Sequence, residues 1–518
     1  MKKKLVVSVL IFLMGGLFCT RGIQAGEQLQ QDSLIVQSES FIITTGDSVT
    51  IAASEKYLKN GIHHFFFGKH YRELWALPVT VEVFNLEQSE NISSDNKIFT
   101  PIKKGGNQQT VTVRLKANDG KTYVIRGLDK VQTNALPPNM RFFPLTFFME
   151  DQTSALNPYA ALAIPPLAHA AGLYHTNPKL IFIPDQNPNP LLNSLSGQMA
   201  ILEEFPDKSW TETDEFGEAE KILSEDKFAG KRMNDPEMNI DTKMFVKARL
   251  FDILIGDWDR HSGQWKWGKQ EKENEVIYQP IPRDRDMAFF KFRDGFLNRI
   301  TLLFIPKFQT FDTRIYNLKG YLYNSRKQDQ LLLPMVDESE WIHAAETLKT
   351  EITDSVINES INQWPAEVRE KVGAFTAEAL KARRDNLPDI ARDFYKLINT
   401  HPKISGTDKP ERFIITRVNN NTTRVEIYYK GKLISSRIFD HNITKQISLY
   451  GLGGDDEFEV RGDVQRAISL NLYGGEGKDK YIDNSIVKGW LKRVRIIDYK
   501  NENYFMPGGV EENVVTRE

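Results

Sequence analysis

Apolar and polar positions alternate in short runs over much of the chain from about Gln28 to Glu204, a pattern typical of β-strands. The segment DQTSALNPYAALAIPPLAHAAGL instead predicts a helix, broken at Pro165 and Pro166. Strand-like stretches alternate with loops from about Gln28 to Gln88. A glycine loop follows at Lys103, then the strand pattern TVTVRL, an Asn-Asp-Gly turn and a second strand, KTYVIRG. KLIFIPD and SGQMAILEEFP come later, and the first of these predicts another strand. This half of the chain therefore predicts a β-rich unit.

Helical spacing replaces this alternation in the middle of the chain. Asp241 can cap a helix through TKMFVKARLFDILIG, where Phe245, Ala248 and Phe251 recur near helical spacing. Residues 330–400 are predicted to be mostly helical, and strand patterns return from about Lys403. We therefore expect an α+β protein with four parts after its leader: a β-rich segment (26–100), two further units (101–205 and 206–402) and a β-rich C-terminal domain (403–518).

The segment from Asp252 to Phe290 concentrates the candidate chemistry. QWKWG and VIYQ predict a β-hairpin whose turn is the polar run KQEKENE. A hairpin returns its end beside its start, so two acidic clusters should converge. Carboxylates held close together repel one another unless a cation lies among them, and a divalent metal is the usual one. The alternative is a helix end held by surface ion pairs. The two clusters are made of Asp252, Asp257, Asp259, Arg260 and His261 before the hairpin, and Asp284 and Asp286 after it.

The residues after the hairpin suggest how a metal could be bound. In an extended backbone Asp284 and Asp286 project to one side, with Arg283 and Arg285 opposite. Two prolines, at 280 and 282, argue against a central strand there. Gln264 adds a neutral carbonyl oxygen, and such an all-oxygen set suits Mg²⁺ or Mn²⁺ better than zinc.

The order of these features along the chain is the order of parts in a phosphoryl-transfer enzyme. A glycine pair, Gly105 and Gly106, precedes two strands, and Arg126 or Lys130 at the end of the second strand can hold phosphate. Asp259 follows a helix and can orient an attacking hydroxyl. Gln264 and then Asp284 and Asp286 complete the set. A nucleotide, with ATP as the first candidate, is the expected donor, and the acceptor is an unknown hydroxyl.

LIGDWDRHSGQW and PIPRDRDMAF resemble the catalytic and metal-binding loops of the atypical protein-kinase-like superfamily, which includes CotH-like and HipA-like kinases. The resemblance implies a two-lobed core with a helical C-lobe, followed here by a small all-β domain. It makes Asp259 the catalytic aspartate, flanked by Asp257 and by His261, which more often braces such a loop than acts as a base. It makes Gln264 and Asp284 or Asp286 metal ligands, and Arg126 (or Lys130) the phosphate clamp. Glu203 and Glu204 would lie in the segment that joins the lobes.

Three positions depart from the family pattern. Asp257 and Gln264 stand where asparagines are expected, and Arg126 stands where a lysine is expected. These departures leave open a pseudokinase that binds nucleotide without turning it over.

YRELW, DQTSALNPYAAL and LYGLGGDDEF are also similar to envelope proteins of Bacteroidetes-type bacteria, in which longer members add a calcineurin-like phosphoesterase domain and an outer-membrane barrel. The resemblance implies an outer-membrane or envelope protein as a partner.

The N-terminus predicts export. A basic start precedes the apolar run Leu5–Phe18, and Ala25 ends a small-residue cleavage site, so residues 1–25 are interpreted as a signal peptide; a retained anchor is the alternative. Cys19 is the only cysteine, which leaves the mature chain without disulfides. We expect the periplasm, the cell surface or secretion. The near balance of 67 basic and 69 acidic residues gives no reason to expect a nucleic-acid partner.

LYGLGGDDEFEV and LYGGEGKDKYID form a repeat with a period of 23 residues near the C-terminus. Glycine turns between stacked strands are the favoured interpretation, and Ca²⁺ binding is the alternative.

The sequence therefore predicts an exported kinase-like phosphotransferase or nucleotidyltransferase that uses Mg²⁺ or Mn²⁺. The alternative is a catalytically inactive envelope interaction module, with Ca²⁺ in its C-terminal β domain. Metal-dependent hydrolysis ranks third because no histidine pair accompanies the acidic cluster.

Overall fold

The computed structural model describes most of the chain from residue 41 onward. The predicted signal peptide, with Cys19, and Gly106 lie outside the described residues. The described residues are 41–59, 61–86, 97–105, 110–130, 133, 141, 145–185, 189–272, 275–489, 494–499, 504–506 and 513–517.

Seven strands close into a barrel in the order β1-β2-β6-β7-β5-β4-β3. Burial alternates along β4 and identifies the side that faces the barrel interior: Val113, Leu115 and Ala117 are buried, while Arg114 and Lys116 between them are exposed. The predicted boundary at residue 100 lies inside β3, so the segments on either side of it share one sheet. The strands are β1 (Phe41–Ala52), β2 (Pro78–Leu86), β3 (Ile98–Gly105), β4 (Thr112–Ala117), β5 (Thr122–Gly127), β6 (Lys179–Ile183) and β7 (Gln198–Glu204).

Short helices accompany the barrel. They are α1 (Ile62–Phe67), α2 (Arg72–Trp75), α3 (Leu145–Asp151) and α4 (Ile164–Ala170).

A four-stranded sheet and ten helices follow. The sheet has the order β8-β10-β11-β9, with β8 (Lys221–Ser224), β9 (Asn239–Ile240), β10 (Trp265–Lys272) and β11 (Glu275–Pro282). The helices are α5 (Glu225–Asn234), α6 (Thr242–Ile255), α7 (Phe296–Phe304), α8 (Leu318–Tyr321), α9 (Arg326–Leu332), α10 (Glu338–Glu351), α11 (Asp354–Asn362), α12 (Ala366–Val368), α13 (Ala374–Asp385) and α14 (Leu387–Asn399).

Helix α6 is the best-predicted element of this part. The Asp241 carboxylate accepts a hydrogen bond from the Met244 N–H at 2.8 Å, which caps the helix start. Gly256 ends the helix in the left-handed region, at φ 78°. All but three of its fourteen residues are buried, so it is a core helix, and the turn after it is fixed by its packing.

From Lys403 onward the regular elements are strands in two sheets, ordered β12-β16-β18-β20-β22 and β15-β14-β13-β17-β19-β21. The strands are β12 (Lys403–Ser405), β13 (Glu411–Asn419), β14 (Thr422–Tyr429), β15 (Lys432–Asp440), β16 (Gln446–Gly453), β17 (Glu457–Val464), β18 (Ser469–Glu476), β19 (Lys480–Val487), β20 (Val494–Tyr499), β21 (Tyr504–Met506) and β22 (Asn513–Arg517).

Strands β16 to β22 alternate between the two sheets as a parallel β-solenoid. Tyr450 pairs with Tyr473 and Phe458 with Tyr481, so the predicted period of 23 residues is the strand register. Gly454 and Gly477 lie in the turns with positive φ, which agrees with the interpretation as glycine turns.

A ladder of aspartates lines one corner of the solenoid. The Asp456 carboxylate accepts from the Glu411 N–H at 2.8 Å, and Asp479 accepts from the Asp456 N–H at 2.9 Å. Asp498 continues the row by accepting from the Gly475 N–H and the Tyr481 hydroxyl. Each carboxylate thus satisfies backbone or hydroxyl donors of its neighbours.

Candidate active site

The two acidic clusters converge because the hairpin between them is fully paired. Strands β10 and β11 are antiparallel, with Trp265 opposite Pro282. The Arg283 N–H donates to the Gln264 carbonyl at 2.9 Å, so the hairpin ends where it began. The pairing continues to Lys272 and Glu275, so most of the run predicted as a turn is strand. Strands pair through backbone hydrogen bonds, so polar residues that predict a turn can still lie in paired strands.

The two prolines lie where β11 has only one neighbour. Strand β9 pairs with Ile277 and Tyr278 alone, so Pro280 and Pro282 lack a second strand that would need their N–H groups. The prediction that the two aspartates share one side of an extended backbone is wrong. Asp284 has φ 58°, in the left-handed region that aspartate tolerates better than most residues.

Both aspartates nevertheless contact cations from the end of strand β5. Arg126 Nη1 lies 2.6 Å from Asp284 Oδ1, and Lys130 Nζ contacts Asp286 Oδ2. Arg126 also contacts Glu203 on β7. The barrel and the post-hairpin loop are therefore joined by a row of alternating charges.

These ion pairs control proton affinity at the site. Burial opposes ionisation of Asp284, but Arg126 and then Lys130 lower the pKa of its carboxyl to about 2. Burial, followed by repulsion from Asp284, raises the pKa of Asp286. The two carboxylates thus share a positive environment in which Asp284 is the more firmly ionised.

Asp259 stands at the same junction, half-buried. Burial raises the pKa of its carboxyl, while His261, Lys307 and Lys130 lower it and Asp284 raises it further. Lys130 and Asp284 thus both act on the charge of Asp259. The Asn324 amide donates to Asp259 Oδ1. Neither Asn324 nor Lys307 was predicted, because both lie more than 45 residues from Asp259 and outside any motif.

Asp257 belongs to a buried ion-pair network beneath the loop. Arg260 joins Asp257 (2.7 Å) to Asp252 (3.0 Å), and Arg249 joins Asp252 (2.8 Å) to Asp329 (2.8 Å). The Asp257 carboxylate also accepts from the Asp259 N–H at 3.1 Å. Asp257 therefore positions Asp259. The sequence could not reveal that Asp252 is the centre of this network.

The remaining loop residues differ in exposure. His261 is exposed, and its Nδ1 accepts from the Gly263 N–H, which fits a brace of the loop. Gln264 is buried, and its side-chain carbonyl oxygen accepts no hydrogen bond from the described residues. A buried amide oxygen without a donor is a candidate ligand for a hard cation.

Two predicted cofactor residues lie apart from the cations. Gly105 ends β3 opposite Thr112, which in turn pairs with Arg126, so it lies in the same row two strands away. Glu204 accepts a hydrogen bond from the Asn177 N–H at 2.6 Å. It has no ion pair with Arg126, whereas Glu203 does. Burial raises the pKa of Glu204 to about 7.

A small cavity lies among these groups. It measures about 40 Å³ beside Arg126, Lys130 and Asp286, and apolar side chains, among them Leu156 and Ile201, complete its wall. Ligand pockets usually measure about 300–1,000 Å³, so this cavity by itself is too small for a nucleotide.

No protein-family model and no curated protein matches the chain. Among solved structures it is similar to the Helicobacter pylori proinflammatory kinase CtkA, with 13% sequence identity, 57% of this chain and 94% of that chain covered, and a TM-score of 0.30. A TM-score this low carries no argument about fold or chemistry. The mixed α/β architecture with several sheets is compatible with a kinase-like α+β fold, and the interpretation of the site rests on its own residues.

Two further properties of the described residues bear on the predictions. They contain no group of three or more His, Cys, Asp or Glu side chains arranged to hold a metal ion. None of their helices has the length and apolar character that a membrane crossing requires.

Proposed function

We propose that this protein is an exported kinase-like phosphotransferase or nucleotidyltransferase that uses Mg²⁺ or Mn²⁺. Asp259 orients the acceptor hydroxyl, and Arg126 and Lys130 hold the phosphates of a nucleotide. Asp284 and Asp286, with Gln264, hold the metal.

The observation that carries this proposal is the row of contacts between barrel and hairpin. Two cations at the end of β5 meet two carboxylates that follow β11, beside the half-buried Asp259. Structural ion pairs also cluster charges in this way, but the network beneath the loop already braces it. Phosphoryl transfer needs cations for phosphate, oxygen ligands for a metal and a carboxylate for the attacking hydroxyl, all in one place.

The proposed metal ligands are chemically suited to a hard cation. Asp284 and Asp286 each have more lone pairs than their cation partners use, and Gln264 adds a buried carbonyl oxygen. Only two of these three ligands are carboxylates, so the set is consistent with the lack of a cluster of three acidic or imidazole side chains. The bound ion would neutralise phosphate charge; Arg126 and Lys130 would exchange aspartate partners for phosphate.

Labelled ATP tests the proposal. Wild type, Asp259→Asn and Asp284→Asn are compared for Mn²⁺-dependent nucleotide binding and for label transfer to the protein itself. We expect Asp259→Asn to retain binding and to lower transfer by about 10²–10⁴-fold, the usual contribution of a positioned acid or base. Asp284→Asn should lose metal-dependent binding. Asp385→Asn, at an exposed ion pair on α13, is the matched control and should change neither.

A second candidate function is a pseudokinase-like envelope module that binds a partner protein, with Ca²⁺ in its solenoid. The ion pairs of the site favour it, because the cations already neutralise the carboxylates that a metal would need. Nucleotide binding without label transfer would support this reading over catalysis. Absence of both would leave only the interaction module.

A further inference from the structure

Helix α7 has three large apolar residues on its outside, while Leu302 packs against the core. Its buried residues are Asn298 and Thr301, which are 0% and 2% exposed. Leu303 is 80% exposed, Phe304 52% and Phe296 49%. An amphipathic surface helix normally buries its apolar stripe, so this helix is inverted.

Helix α1 extends the same surface. Ile62 is 77% exposed and Phe65 is 63% exposed. The Phe65 and Phe296 rings stack at 5.9 Å between centroids, so the two helices form one continuous surface. This apolar face consists of Ile62, Phe65, Phe296, Leu303 and Phe304. Contiguous exposed apolar surface of this kind marks an interaction site.

Polar contacts hold helix α7 in its inverted orientation. The Asn298 amide donates to the Phe67 carbonyl at 3.2 Å and lies 2.9 Å from His70 Nε2. Gly295 packs so closely on the backbone of Phe67 and Gly68 that a Cβ there would lie 2.5 Å from the Gly68 nitrogen. Rolling the helix would break these buried contacts, so its apolar residues stay outside.

The surroundings of the apolar face are basic. Arg299 donates to the Arg293 carbonyl at 2.9 Å, and the Arg293 guanidinium lies 3.9 Å from the centroid of the half-exposed Tyr316 ring. Residues 291–319 contain four exposed basic residues, Arg293, Arg299, Arg314 and Lys319, and two acidic residues. Of the two acids, Asp294 contacts His70 at 2.6 Å and Asp312 accepts from the Tyr316 hydroxyl.

We propose that this apolar face docks on an anionic membrane surface, with α7 lying in the plane of the headgroups. A nine-residue helix is about 13 Å long, too short to cross a bilayer, so it would lie flat. Exposed Phe and Leu beside Arg and Tyr are the composition of interfacial helices. The excess of basic residues selects an anionic lipid surface rather than a neutral apolar partner. This inference does not depend on the proposed enzymatic activity.

A polarity-sensitive fluorophore on a single cysteine tests the proposal in the full chain. Cys19→Ser with Leu303→Cys places the label on the apolar face, and Cys19→Ser with Ile62→Cys places it on α1. Cys19→Ser with Ile486→Cys is the control, because Ile486 is also 54% exposed but lies in the solenoid. The label reports its own position, so membrane binding by the N-terminal apolar run does not confuse the result.

With vesicles of phosphatidylcholine and phosphatidylglycerol, we expect several-fold brighter, blue-shifted emission at positions 303 and 62 and little change at 486. Adding Arg293→Gln and Arg299→Gln should lower partitioning of the 303-labelled protein by about 30-fold, from about 1 kcal/mol for each cation near an anionic surface. An equal response to pure phosphatidylcholine would overturn the anionic preference. Equal changes at 303 and 486, or none at 303 and 62, would overturn docking. A change at 303 that follows protein concentration without vesicles would overturn it in favour of a second copy.

Discussion

Asp284 beside the hairpin and Asp456 in the solenoid are buried or half-buried aspartates with opposite proton affinities. Arg126 and Lys130 overcome burial and lower the pKa of Asp284 to about 2. Burial raises the pKa of Asp456 to about 9; its backbone donor lowers it, and the Glu411, Asp479 and Asp455 carboxylates raise it. The difference is the presence of cations: Asp284 stays ionised beside them, whereas Asp456, which has carboxylates around it, holds a proton.

The buried aspartate Asp252 provides a third case for this comparison. Asp252, which is 0% exposed, is shared by Arg249 and Arg260, which are equally buried. Asp252→Ala leaves two buried guanidinium groups with one partner fewer, so we expect the free energy of unfolding to fall by about 3–5 kcal/mol. Denaturant unfolding measures this. Asp385→Ala, at an exposed pair, should cost less than about 0.5 kcal/mol; equal losses would mean that the network adds nothing specific.

The solenoid side of the comparison predicts a pH dependence. A carboxyl whose pKa is raised on folding contributes stability that is complete below its ordinary pKa of 3.8 and is lost as pH rises toward about 9. The contribution of Asp456 to the free energy of unfolding should therefore fall by about 1.4 kcal/mol per pH unit, or about 3 kcal/mol between pH 6 and 8. Asp456→Asn should remove that slope.

Denaturant unfolding at pH 6, 7 and 8, followed by a signal from the solenoid, checks this. Asp463→Asn is the control, because Asp463 lies on β17 of the same solenoid but is exposed. A slope that persists in Asp456→Asn would assign the titration to another group of the ladder.

The low pKa of Asp284 depends most strongly on Arg126. Arg126→Met removes the strongest of the cations that oppose burial of Asp284, so the pKa of that carboxyl should rise from about 2 toward its ordinary 3.8. The depressed pKa contributes stability above pH 3.8 that wild type loses only as pH falls toward 2; the variant should lose it at higher pH. Carbon NMR of the carboxyl group measures the shift. Arg114→Met, on the neighbouring strand β4, should leave the Asp284 titration unchanged.

Sequence patterns predicted the features that depend on residues close together in the chain. The cap at Asp241, the hairpin and the solenoid register follow from the spacing of neighbouring residues, and the structure has all three. The prediction that Asp259 and Asp284 converge rested on the hairpin between them, whose strands are neighbours in the sequence. The predicted geometry of Asp284 was wrong because it assumed an extended backbone, whereas Asp284 has φ 58°.

Contacts between residues far apart in the chain could not be predicted from sequence patterns. Asn324 and Lys307 reach Asp259 through the packing of helices, and Asp329 reaches Arg249 in the same way. Strands β1 and β2 pair with β3 and β6 to complete a barrel, a pairing with no local signal. The inverted polarity of α7 was equally hidden, because its periodicity shows amphipathicity but not which face turns inward.

Closure of the barrel limits how the cleft can open. Arg126 lies on β5, which is hydrogen-bonded to β4 on one side and β7 on the other, so this strand cannot slide alone. Separating the cations from Asp284 and Asp286 would then require the whole barrel to swing as a rigid body. The segment between β5 and β6 opposes that motion, because its Ala163 and Tyr159 carbonyls accept hydrogen bonds from Ser360 and Trp364 in the helical part.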